Sequence, residues 1–181
     1  MLLSKLIEVI ESEFPSGSAM KGDPIGLRIQ SGNIQIKNIL IALEVNDEVI
    51  DSAVKLGCDC VISFHPLIFS PLTEILEEER VGNLATKLIK NDITQITIHS
   101  NFDVHQNGTN QIFADLINLQ NRQFLVENKE FTNKGMGIIG NLINPISHQE
   151  LADLLYQKTN SPVRFNFGKN ENIKKIAVIC G

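Results

Sequence analysis

The sequence has few of the residues that mark a disulfide-stapled or nucleic-acid-binding protein. It contains three cysteines among 181 residues, and its 16 Lys and Arg are outnumbered by 21 Asp and Glu. An odd number of thiols builds no disulfide framework, so we expect reduced, buried cysteines. A formal charge of −5 offers no basic stripe for a phosphate backbone, and we expect no nucleic-acid partner.

Long apolar runs are also missing from the sequence. None approaches the ~18 residues that a membrane span needs, and Glu8, Glu11 and Glu13 stand where a signal peptide has its apolar core. We therefore expect a cytoplasmic protein with no membrane partner. The 43% hydrophobic and 20% charged residues are typical of a globular protein of one or two domains. A chain of this length builds a core without metal, so we expect any metal to be functional.

The apolar pattern of the first part of the chain predicts alternating helices and strands. Helical spacing predicts an amphipathic helix over residues 3–14, and dense Ile and Leu predict an interior strand over 36–45. Helices over 47–56 and 80–91 follow, with Asn46 as a cap, together with strands over 60–64 and 93–98. This rhythm predicts an α/β fold, with a parallel or mixed sheet and flanking helices.

The character of the sequence changes after a predicted helix over 111–117. We place an N-terminal α/β domain at 1–122 and a partial second α+β subdomain at 123–181. The second part carries predicted strands over 135–142, 163–167 and 174–180, and Ser147 and Glu150 form a capping box before a helix that ends at Lys158. The last strand enters a glycine turn at Gly181. We expect a chain that stops mid-fold and self-associates to cover the exposed strand.

Two polar segments follow predicted parallel strands directly. His65 ends one strand, and His99 and Asp103 follow the next. Because ligands bind at the carboxyl edge of open α/β sheets, we expect these side chains near one crevice. Imidazole and carboxylate together suit Zn, Mn, Fe or Mg, which makes His65 and Asp103 the candidate metal ligands. A hydrogen-bonded loop histidine and a turn carboxylate are the open alternatives.

Three further residues are candidates to orient these ligands without binding the metal themselves. They are His99, Glu44 and Asp23, and the alternatives are a histidine bonded to backbone for His99 and local turn capping for Asp23. His105 is interpreted as an exposed loop residue or a donor to substrate. No catalytic residue is predicted, and the absence of a G-x-S-x-G elbow and of a P-loop excludes serine hydrolases and Walker-type NTPases.

Three segments together resemble the Nif-three-like family, often labelled type 2 GTP cyclohydrolase I. They are the turn Asp23-Pro24-Ile25-Gly26-Leu27, the strand that ends in Phe64-His65-Pro66, and His99-Ser100-Asn101-Phe102-Asp103. They are similar to the family's Asp-Asn-x-Gly-Leu, its strand ending in His-His-Pro, and its His-Thr-Asn-x-Asp, in the same order. The resemblance covers nearly the whole chain. It implies a two-domain α/β protein that forms ring-like homohexamers and holds two divalent ions between its domains.

The resemblance also implies a ligand set, of which only part carries over. The family's ligands are the two adjacent histidines, the aspartate of the second motif, and a later histidine and glutamate that would lie beyond Gly181. Phe64 stands in the place of the first histidine, so only His65 and Asp103 match. Catalytic metals normally have three or more protein ligands. We therefore expect one weakly held divalent ion or none, rather than two.

The expected function follows from this partial match. It is a divalent-metal-binding protein of the family with an impaired metal site, and if active a metal-dependent hydrolase of a phosphorylated or nucleotide-like small molecule. The alternative is a non-catalytic oligomeric scaffold or metal-binding protein that kept the fold and lost dinuclear catalysis. A third interpretation is that the chain is a piece of a longer protein.

Overall fold

The computed structural model of the protein describes residues 1–180. The chain divides into two compact units, Met1–Phe102 and the residues from Asp103 onward. The glycine turn predicted at Gly181 lies outside the described residues. None of the helices within residues 1–180 has both the length and the apolar character needed to cross a bilayer.

The first unit is built on a mixed four-stranded sheet. Its strands are β1 (Gly26–Ile29), β2 (Ile39–Ala42), β3 (Cys60–Ser63) and β4 (Thr94–Thr97), in the order β1-β4-β3-β2. β2, β3 and β4 run parallel, and β1 runs antiparallel to β4. This confirms the predicted α/β fold with a parallel or mixed sheet.

Helices cover both faces of this sheet. α2 (Asp47–Lys55) and α3 (Arg80–Lys90) pack on the face of Val61, and α1 (Leu3–Glu13) packs on the face of Cys60 and Ile96. Asn46 caps α2 as predicted, because its side chain accepts a hydrogen bond from the Val49 amide. A one-turn helix, α4 (Ser100–Asp103), follows β4.

The three cysteines are free thiols, but only Cys60 is buried. Cys58, which precedes β3, packs against the core on the α2 side, and Cys60 belongs to the core on the α1 side. Burial raises the pKa of the Cys60 thiol to about 12. Cys58 and Cys180 are half-buried, so the prediction of three buried thiols is wrong for these two.

The prediction that β2 lies inside the sheet is wrong. β2 pairs with β3 on one side only and forms an edge of the sheet. Ile41 is 81% exposed and Leu43 is 66% exposed. Ile41 pairs with Ile62, which packs in the core beneath α1, so the exposed Ile41 side chain lies on that same face. The apolar composition of this segment therefore reflects an uncovered surface rather than burial on both sides.

The second unit combines an antiparallel sheet with two helices. The strands β5 (Gln120–Glu127), β6 (Gly135–Ser147) and β7 (Asn172–Val178) pair in sequence order. Helices α5 (Thr109–Leu116) and α6 (His148–Thr159) contribute Ala114 and Leu154 to the core around Ile138. The predicted capping box is confirmed, since the Ser147 side chain accepts from the Glu150 amide and Glu150 accepts from the Ser147 amide.

Two features of the second unit differ from the sequence analysis. The strand predicted over residues 163–167 is wrong, because this segment is irregular and Phe167 is 80% exposed, without a neighbouring strand to pair with. The units divide after Phe102, whereas the predicted domains were 1–122 and 123–181. Residues 120–122 open β5, and α5 packs on β6, so α5 belongs with the second unit.

Candidate site at the carboxyl ends of the parallel strands

In the first unit, the segments after β3 and β4 leave the sheet at the same edge. Ser63 and Thr97, which end these parallel strands, are paired neighbours. His65 follows the first and His99 follows the second, and their ring centroids lie 6.0 Å apart. The topology therefore brings these two predicted site residues together.

Phe64 packs against both imidazoles. Its ring centroid lies 5.2 Å from that of His65 and 5.2 Å from that of His99, and Phe102 completes the cluster at 6.4 Å. The phenyl ring has no lone pair to offer a metal. At the position where the family resemblance implies a histidine ligand, the chain has an apolar contact surface instead.

The main chain of His65 is fixed, while its side chain is exposed. The His65 amide donates to the Leu43 carbonyl at 2.7 Å, and its carbonyl accepts from the Ser63 hydroxyl at 2.7 Å. Within residues 1–180 no hydrogen bond reaches its ring nitrogens. The imidazole is therefore available to a ligand, and the predicted alternative of a hydrogen-bonded loop histidine applies to its backbone only.

A buried polar network lies under this edge of the sheet. Gln95 is fully buried, and its side-chain amide donates to the Ser63 hydroxyl at 2.9 Å and to the Thr97 hydroxyl at 3.0 Å. Ser63 in turn donates to the His65 carbonyl. Sequence reasoning missed this network, although the polar residues Gln95 and Thr97 in the strand predicted over 93–98 were the available signal.

Asp23 and His99 form a carboxylate–imidazole pair. The Asp23 Oδ1 lies 2.8 Å from Nδ1 of His99, and its Oδ2 accepts from the Ser100 amide at 2.9 Å and from the Ser100 hydroxyl. The Asp23 side chain is 6% exposed and that of His99 is 24% exposed. An ionised carboxylate only accepts hydrogen bonds, so Nδ1 of His99 carries the proton.

The electrostatics of Asp23 follow from these contacts. Burial raises the pKa of this carboxyl, but the hydrogen bonds from Ser100 and His99 outweigh burial and leave the pKa below its usual value. Asp23 is therefore a charged partner of His99, and local turn capping does not account for its contacts. The His99 ring bonds to this carboxylate rather than to backbone, which was its predicted alternative.

Glu44 lies near the end of β2 and forms a surface ion pair. Its carboxylate is 3.8 Å from the guanidinium of Arg80, and both side chains are more than half exposed. Arg80 also donates to the Val45 carbonyl at 3.0 Å. The role predicted for Glu44 behind a metal ligand stays a prediction.

Asp103 and His105 belong to the second unit. Asp103 is 3% exposed, its carboxylate accepts from the Thr109 hydroxyl, and its carbonyl accepts from the Asn110 side chain at 2.8 Å. Burial, with the charge of Asp103 in second place, raises the pKa of the Cys180 thiol. The prediction that His105 is exposed is wrong: it is 4% exposed, and its Nδ1 accepts from the Asn107 amide. The pairing of His65 with Asp103 stays a prediction, since each is described within its own unit.

The donor set decides which metal centre these residues suit. Across residues 1–180, no three His, Cys, Asp or Glu side chains are grouped closely enough to hold an ion together. The two-ion centre implied by the family resemblance therefore does not fit the described residues. What they offer is one exposed imidazole at His65, one carboxylate-supported imidazole at His99, and the buried carboxylate of Asp103.

Comparison with known proteins decides the family. The sequence model of Duf34/NIF3 (NGG1p interacting factor 3) matches residues 1–181. The chain belongs to the DUF34/NIF3 family. The resemblance drawn from the three motifs is thereby confirmed.

Curated relatives of this DUF34/NIF3 chain share one name, "GTP cyclohydrolase 1 type 2 homolog". The protein from Listeria monocytogenes is 38% identical over 119 residues, which are 66% of this chain and 32% of that protein. The protein from Streptococcus pneumoniae is 32% identical over 157 residues, which are 87% of this chain and 58% of that protein. The match thus spans about a third of the length of the first of these relatives.

Solved structures agree on the fold over the whole described chain. The Staphylococcus aureus protein SA1388 has a TM-score of 0.89 at 25% identity and covers 100% of this chain and 72% of its own. Reduced HcgD from Methanocaldococcus jannaschii has a TM-score of 0.75 at 30% identity and covers 100% of this chain and 70% of its own.

Proposed function

We propose that this chain is a cation-binding member of the DUF34/NIF3 family that holds a single divalent ion weakly through His65 and Asp103. The observation that carries the proposal is the ring of Phe64, packed against His65 in the place of a second imidazole. Two protein ligands are fewer than a firmly bound catalytic metal has. Zn, Mn, Fe and Mg are all compatible with one imidazole and one carboxylate.

The proposed reaction class is metal-dependent hydrolysis of a phosphorylated or nucleotide-like small molecule. It is supported by the shared name of the curated relatives, which ties those proteins to GTP cyclohydrolase 1 type 2. A bound divalent ion would supply positive charge for phosphate oxygens. The names of relatives do not transfer a mechanism, because fold and ancestry do not fix function.

The second candidate function is a non-catalytic, self-associating scaffold. Phe64 favours it, because a phenyl ring cannot bind a metal at the position where the family resemblance implies a histidine ligand. The exposed aliphatic side chains of β2 add an apolar surface suited to self-association, for which the family resemblance implies a hexamer.

Calorimetric titration with Mn²⁺, Zn²⁺ and Fe²⁺ tests the proposal. We expect one weak ion per chain, and we expect His65→Gln and Asp103→Asn each to weaken its binding. Glu8→Gln is the matched control, because Glu8 is an exposed carboxylate on α1. Two tightly bound ions per chain would contradict the proposal. Metal-dependent phosphate release from nucleoside triphosphates would favour the hydrolase, and its absence in the metal-loaded chain would favour the scaffold.

A further inference from the structure

We infer that His99 is a second imidazole ligand for a metal ion at His65, so that the first unit alone provides a two-histidine site for a transition metal. The inference deepens the proposed function and rests on it, since both use His65. In this inference His99 binds the metal directly, whereas the sequence analysis made it a supporting residue. His99 then provides a second imidazole at a site where Phe64 stands in place of a histidine.

The separation of the two rings suits a shared ion. A metal bound at about 2.1 Å from an imidazole nitrogen lies about 3.2 Å from the ring centroid, so two ligating rings have centroids roughly 5.2 Å apart at a tetrahedral angle and roughly 6.4 Å apart when opposed. The observed separation of His65 and His99 is 6.0 Å, with the ring planes at 79°. The observed separation therefore lies within the range expected for two rings that share one ion.

Asp23 prepares His99 for this role. Because Nδ1 of His99 donates to the Asp23 carboxylate at 2.8 Å, the neutral ring carries its lone pair on Nε2. Metal-binding histidines almost always donate their other ring N–H to a carboxylate, a carbonyl or water, which fixes the ring and its tautomer. The Ser100 amide and hydroxyl hold the second carboxylate oxygen, so Asp23 itself is immobilised.

The surroundings of the pair favour one class of ion. His65 is exposed and His99 is 24% exposed, so an ion can reach both rings from solvent. Phe64 contacts both imidazoles and contributes no oxygen. Imidazole suits Zn²⁺, Ni²⁺ and Cu²⁺, whereas Mg²⁺ prefers oxygen ligands. We therefore expect the site to take Zn²⁺ or Ni²⁺ and to leave Mg²⁺ unbound.

Titration of histidine and aspartate variants with Zn²⁺, Ni²⁺ and Mg²⁺ tests the inference. We expect His99→Gln to weaken Zn²⁺ and Ni²⁺ binding at least tenfold, as His65→Gln does, and Asp23→Asn to weaken it 10- to 100-fold. His148→Gln is the control, because the His148 Nε2 already accepts from the Gly168 amide at 3.0 Å. Its affinity should equal that of the unsubstituted chain.

The result that would overturn the inference is unchanged Zn²⁺ affinity in His99→Gln. If His99→Gln binds normally while Asp103→Asn does not, His99 is no ligand and the proposed function stands. If His99→Gln loses binding while Asp103→Asn keeps it, the inference stands and the proposed ligand pair fails. Nitrogen-15 NMR of the unsubstituted chain gives a readout free of folding defects: Zn²⁺ should shift Nε2 of His99, and an unmoved resonance under saturating Zn²⁺ also overturns the inference.

Discussion

The substitution Phe64→His, which places an imidazole at this position, should lower the free energy of unfolding of the metal-free chain and raise its affinity for divalent metal. The Phe64 ring is half-buried and contacts the rings of His65, His99 and Phe102 at centroid distances of 5.2 to 6.4 Å. An aromatic pair contributes about 0.5–1.5 kcal/mol beyond its buried area. Because the smaller imidazole keeps part of these contacts, we expect the metal-free variant to lose about 1–2 kcal/mol in free energy of unfolding.

Divalent metal should reverse this loss. A ligand that binds only the folded state stabilises it by about 2.7 kcal/mol at 100 times its dissociation constant. Since 1 kcal/mol shifts the melting temperature by about 2–4 °C in a chain of this size, the metal-free variant should melt about 2–8 °C below the unsubstituted protein. With saturating Zn²⁺ it should melt at or above the metal-free, unsubstituted protein.

Thermal unfolding and calorimetric titration, each with and without Zn²⁺, measure the two effects separately. Phe64→Leu is the matched control, because it removes the same ring contacts and adds no ligand. It should lose similar stability and gain no response to metal beyond that of the unsubstituted chain. If Phe64→His binds Zn²⁺ no better than Phe64→Leu does, a side chain at position 64 does not reach an ion bound at this edge of the sheet, and our reasoning about the site is wrong.

Three further predictions concern the first unit. Asp59 accepts from the Asn38 and Lys37 amides at 3.0 and 2.8 Å, which lowers its pKa. The stabilisation by Asp59 is therefore present above about pH 4 and is lost as pH falls through the folded-state pKa. In urea titrations Asp59→Asn should cost about 1–3 kcal/mol at pH 7 and less at pH 3. Ile41→Asp should leave the melting temperature nearly unchanged, because Ile41 is 81% exposed, and should reduce self-association in sedimentation velocity; an unchanged oligomer would exclude β2 as the contact. Gly82→Ala should lower the free energy of unfolding in urea by about 1–3 kcal/mol, because a Cβ on this residue of α3 would lie 2.3 Å from the Leu76 carbonyl oxygen. A gain in stability would show that the backbone around Leu76 shifts without cost.

Much of the first unit could be predicted because its signals are local. Asn46 before an amphipathic run and Gly57 after it fixed the ends of α2, and Gly57 has the left-handed φ of 63° that favours glycine. In the second unit, the capping box at Ser147 was equally local. His65 and His99 could be placed at one edge because parallel strands end together.

The features that could not be predicted depend on contacts distant in sequence. The apolar residues of β2 look the same in an interior strand and at an uncovered edge, and only the strand order separates the two. Asp23 and His99 are 76 positions apart, so their bond could not be inferred from either segment alone. The segment around Phe167 has strand-like composition but no strand beside it, and composition does not supply a pairing partner.

The hydroxyl of Ser63 has a consequence for how a ligand would bind at this edge. Through Ser63 the carbonyl of His65 is tied to Gln95, a side chain with no exposed surface. These hydrogen bonds hold the loop backbone against the sheet interior. Binding of an ion would therefore restrict mainly the rotation of the His65 side chain. A receptor with its backbone arranged in advance loses little conformational entropy on association, which favours binding even at a site with few donors.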